Sequence, residues 1–130
     1  MTPESSRFIH KARTHLKRAD TMLGVGLYED AGRAAYLASF HAAQAFLFEN
    51  LGKIFKTHHG VQSEFFRLTK EDPRIDLNLR VFLSQAYTLK AIADYEEGED
   101  SPLFRDRAVE AVAMAARFVN VIVGWLDPSK

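Results

Sequence analysis

Apolar residues recur along this chain at helical spacing, and no window alternates with the period of two that marks a half-buried strand. Phe8, Ala12, Leu16, Ala19 and Leu23 form a stripe that opens after Thr2 and Pro3, a cap residue followed by proline in the first turn, and stops at Gly24, Val25 and Gly26. A second run from Tyr28 to Leu51 ends at Gly52, and a third covers His59 to Thr69 before Lys70, Glu71, Asp72 and Pro73. A fourth begins near Asp76 and ends around Tyr95; a fifth opens with Ser101 and Pro102 and continues to Leu126. The pattern predicts an all-α protein, an up-and-down bundle of about five helices forming a single domain over residues 1–130.

Two of the runs are unusually apolar. Ala34 to Phe48 is hydrophobic on nearly every face, which suits the centre of a bundle or a subunit contact. The fifth run carries Val109, Val112, Ala116, Val119 and Val123 on one stripe and Phe118, Ile122 and Trp125 on another. Two such helices in one small domain lead us to expect a homodimer. The stretch Ala111 to Leu126 is the most membrane-like, but Arg117 and Asn120 sit near its middle. A charge there costs about 3 kcal/mol on insertion scales, so a buried helix and no membrane association are expected. The N-terminus lacks the apolar core of a secretory signal, which points to a cytoplasmic protein.

Composition narrows the chemistry. Seventeen basic residues offset 17 acidic ones for a formal charge of +0, which excludes a surface built to coat nucleic acid throughout. The balance is segregated: Arg7, Lys11, Arg13, Lys17 and Arg18 crowd the first helix, and acids crowd Asp94 to Asp100. Arg7, Lys11 and Arg18 share one face, readable as a phosphate-tracking stripe or as an ordinary solvated face. There is no cysteine, so thiolate metal sites, disulfides and cysteine nucleophiles are excluded. No phosphate-cradling GxxxxGK[ST], no GxSxG elbow and no dinucleotide fingerprint is present, and no metal or cofactor is expected.

Histidines are the remaining chemical candidates. His41 lies inside the apolar second run, on a stripe with Leu37, Gln44 and Phe48. It reads either as an acid–base or phosphate-contacting group at a cleft, or as a core histidine whose hydrogen bonds are internally met. His58 and His59 are adjacent, diverge by about 100° on a helix, and make a poor chelating pair. Thr57 or His59 can instead cap the third helix.

The string YLASFHAAQA over residues 36–45 resembles the second-helix motif of HEPN-domain proteins. KTHHGV over 56–61 resembles the family's K-x-H-x-G-V step, and LKAIADY over 89–95 its L-R-x-x-A-D-Y helix end. The resemblance implies a helical bundle that dimerises and is often encoded beside a small nucleotidyltransferase, commonly as the toxin of a toxin–antitoxin pair. Many such proteins are metal-independent ribonucleases with an arginine followed by four to six residues and a histidine. No arginine in this chain is followed by histidine at that spacing; the nearest analogue is Lys90 with Asp94 and Tyr95. The expected function is therefore binding of a nucleotide or RNA, through His41, Lys90, Asp94 and Tyr95 with Tyr36 and His58 or His59. Two alternatives are a ribonuclease with a degenerate site and a purely structural dimer whose polar cluster is internally bonded. Adenylylation of Tyr95 is a further expectation.

Overall fold

The computed structural model describes the backbone of residues 1–95 and 102–127 and the side chains of 1–88, 90 and 105–127. Five helices follow in order: α1 (Pro3–Gly24), α2 (Tyr28–Leu51), α3 (His58–Thr69), α4 (Leu77–Tyr95) and α5 (Pro102–Leu126). No strand occurs among the described residues. The ends are set by side-chain chemistry. Thr2 accepts from the amide of Ser5 at 3.1 Å, and Thr57 from that of Gly60 at 2.9 Å, each replacing a partner the first turn lacks. Asp76 does the same for Leu79, so α4 starts one residue after the expected position. Gly52 closes α2 in the left-handed region at φ 65°, its N–H donating to the Phe48 carbonyl. The expected cap at Ser101 lies outside the described residues.

Helices α1 and α2 run antiparallel. The amide of Thr2 donates to Glu49 at 2.6 Å and the hydroxyl of buried Ser5 to the Ala45 carbonyl at 3.3 Å, pinning the start of α1 to the end of α2. Helix α2 touches all four other helices. Its alanines at 31, 35, 38, 42, 43 and 45 are fully buried, because a methyl side chain lets neighbouring backbones close in from every direction. Of the two settings expected for this helix, the centre of the bundle is the one observed within the chain. Aromatic contacts tie the rest together: Phe46 meets Phe65 and Trp125, and Phe118 meets Phe65 and Phe82.

Helix α5 is long and apolar enough to cross a membrane by length and composition over Arg105–Leu126. In the bundle, Ala108, Val112, Ala115, Phe118, Val119 and Ile122 form its buried face. Val109 departs from the expected stripe and is 48% exposed, since the packed face centres on Phe118 and Ile122. Arg117 points outward and pairs with Asp76 at 2.6 Å, linking α5 to the cap of α4.

Candidate functional site

The junction of α2, α3 and α4 holds three of the candidate residues in one cluster. The Tyr36 hydroxyl lies 2.6 Å from Nδ1 of His58. The His58 ring stacks on Tyr87 with centroids 5.0 Å apart and planes at 24°, and it also meets Phe40 at 5.2 Å. Lys90 Nζ stands 5.8 Å from the Tyr87 ring centre. Tyr87 is not among the residues that the sequence motifs bring forward, although it sits three residues before Lys90 and therefore on the same helix face.

Electrostatics fix the protonation pattern of this cluster. Tyr36 is 0% exposed, and burial pushes its phenol well above the ordinary range, with a polar contact from Gln62 pulling partly the other way. Burial also lowers His58, and the Lys90 ammonium lowers it further. Both groups are thus neutral near pH 7. A phenol is the better donor and an imidazole nitrogen the better acceptor, so the Tyr36 hydroxyl donates to Nδ1. The proton of His58 then resides on Nε2, which becomes a fixed neutral donor. Gln62, one turn after His58 on α3, has a buried Nε2 with no partner in hydrogen-bond geometry among the described residues.

His41 is elsewhere. It lies five residues after Tyr36, about 140° around α2, at the seam with α1. Its ring stacks on His15 at 5.4 Å and 21°. Gln44 Nε2 donates to the Phe55 carbonyl at 2.8 Å, which turns Oε1 toward His41 Nδ1, also at 2.8 Å. Nδ1 therefore carries the proton, and the lone pair of neutral His41 is on Nε2. Burial lowers both His15 and His41 below the ordinary histidine value. The Gln44 bond opposes the shift at His41, and Lys11 reinforces it; His15 feels His41, Arg18 and Lys11.

The other candidates separate from these two groups. His59 is exposed with Ser63 as a polar neighbour at 3.5 Å, so the divergence of adjacent histidines turns one inward and one outward. Asp94 and Tyr95 lie outside the described side chains, as does the acidic stretch to Asp100. Arg7, Lys11 and Arg18 are exposed on α1 as the spacing implies. A cleft of about 590 Å³ lies apart from both histidine groups, between α4 and α5, with Phe82, Ala86 and Met114 in its floor and Gln85, Arg107 and Glu110 at its rim. Its described lining contains no imidazole or phenol, and the chemistry favours the His58 cluster instead.

Among solved structures the fold is similar to that of TT1696 from Thermus thermophilus, with a TM-score of 0.73 and 20% sequence identity. The alignment covers 93% of this chain and 97% of that one. Comparison with curated proteins gives no match. A family model described as HEPN domain matches residues 5–125. That match runs from the first turn of α1 to the last turn of α5 and so takes in every helix of the bundle: the chain belongs to the HEPN-domain family.

Proposed function

We propose that this chain is a HEPN module that binds the phosphate end of a nucleotide or nucleic acid and pairs, as a homodimer, with a nucleotidyltransferase in a toxin–antitoxin-like system. One observation carries the binding step: His58, held by Tyr36 with its Nε2 proton fixed, beside the Lys90 ammonium and the Tyr87 ring. A neutral donor and a cation on one aromatic wall suit an oxyanion, which accepts from both. Exposed Leu77 and Val109 support a contact with a further chain. The test is calorimetric titration of the purified protein with nucleotides and short RNAs. Saturable binding that weakens about tenfold or more in H58A and K90A is expected; titrations with no heat for any of these ligands would refute the reading. Sedimentation as a monomer at micromolar concentration would refute the dimer. Failure to co-purify with a nucleotidyltransferase encoded beside it would refute the pairing.

A ribonuclease reading has one observation in its favour, a cation and a neutral imidazole in the same cluster. In the tautomer held by Tyr36, Nε2–H can give its proton to the leaving 5′-oxygen while the cation steadies phosphate charge. It predicts RNA cleavage with EDTA present, lost in H58A. Intact RNA after incubation with the wild-type protein would end it.

A further inference from the structure

The basic stripe of α1 and the His15–His41 stack belong to one place, which adjoins the His58 cluster through the Phe40 ring, edge-on to His41 at 5.6 Å and 5.2 Å from His58. Arg7, Lys11, His15 and Arg18 follow one another on α1 at intervals of four, four and three residues, or about 6, 6 and 4.5 Å along the axis. Among the described residues none of Arg7, Lys11 and Arg18 forms an ion pair. The charges acting on the two rings are Lys11 and Arg18, both positive. On the α2 side the pair is closed by Gln44, anchored in turn on the Phe55 carbonyl. The rings are only half-buried, so their edges remain within reach of a ligand.

We propose that the α1–α2 seam is a phosphate-binding site in which Lys11, Arg18 and the His15 and His41 edges converge on one phosphate group. The ligand supplies the charge this seam lacks: two stacked imidazoles stand beside two cations, and among the described residues no anion acts on either ring. Because Gln44 holds the proton of His41 on Nδ1, its Nε2 is a bare lone pair and repels a phosphate oxygen. It becomes a donor only as imidazolium, so a phosphate arrives together with a proton from solvent. That dianion or diester then compensates the added charge, and the bond formed is charge-assisted. The phosphate can be that of a free nucleotide or one link of an RNA backbone. The row continuing to Arg7 provides for the second source, since Arg7, about 6 Å along the axis from Lys11, can meet the adjacent phosphate of a backbone.

The experiment follows the His15 and His41 imidazole signals by NMR during titration with inorganic phosphate, a nucleoside monophosphate and a single-stranded RNA oligonucleotide. Saturable shifts of both rings are expected, stronger near pH 6 than near pH 8. K11A and R18A, both on the exposed face and checked for helicity, should weaken phosphate binding about tenfold or more. RNA that binds more tightly than phosphate and loses that advantage in R7A identifies a backbone; equal binding unaffected by R7A identifies a single phosphate. Signals unmoved by all three ligands, or shifts unchanged in K11A and R18A, overturn the proposal. H58A separates the two sites: shifts at His15 and His41 should survive it, whatever becomes of the binding proposed at His58.

Discussion

At His58 the Tyr36 hydroxyl fixes the proton on Nε2, whereas at His41 Gln44 fixes it on Nδ1. The two imidazoles are therefore a donor and an acceptor although both are neutral. Removing the hydroxyl in Y36F deletes one hydrogen bond and frees the His58 tautomer. Stability should fall by about 1 kcal/mol in urea unfolding, and the ¹⁵N shifts of His58 should move toward a tautomer mixture; unchanged ¹⁵N shifts would contradict the assignment. Gly60 presents a different constraint. A Cβ at this position would lie 2.6 Å from Thr57 Oγ1, the atom that caps α3. G60A should cost about 1 kcal/mol by breaking the cap, and T57A/G60A should be no worse than G60A alone. The capping role of Thr57 was legible in the sequence. Which of His58 and His59 faces inward was not, because that depends on the rotation of α3 against α2.

At the scale of the helix, α2 sets the tolerance of the fold. Its buried alanines leave no room for longer side chains, so A43L should destabilise by about 1–3 kcal/mol through overpacking. Phe118 on α5 is 1% exposed and packs against both Phe65 and Phe82. F118A should cost about 3–5 kcal/mol, read from the shift of the denaturant midpoint. V109A, on the outward side of the same helix, should change the monomer's stability little. Sequence periodicity located both helices and most of their buried positions. It left open which of the two stripes is covered, and so whether Val109 is exposed, because α5 is apolar on more than one side and only its neighbours select the buried face.

For the whole molecule, three half-buried histidines share one sign. His15, His41 and His58 all lie below the ordinary histidine value of 6.5 when folded. Below about pH 6.5 the unfolded chain binds more protons than the folded one, so stability rises with pH through this window. It is present above the unfolded value and lost as pH falls toward the depressed folded ones. The thermal midpoint should therefore drop between about pH 7 and pH 5, and the drop should shrink in a H15N/H41N variant. A midpoint flat over that range would contradict the burial of these rings. Glu49, Asp72 and Asp76, all lowered chiefly by hydrogen bonds, extend the loss to more acidic pH.

The sequence by itself determined the helix count, most helix ends and the central character of α2, since spacing, caps and glycine stops are local properties of the chain. It also brought forward Tyr36, His41, His58 and Lys90 as chemical candidates. Only the tertiary structure divided them into two places, with His58, Tyr36 and Lys90 around Tyr87 and His41 against His15. The reason is geometric. Residues five apart on α2 point about 140° from one another, and which helix meets each direction is decided by packing rather than by spacing.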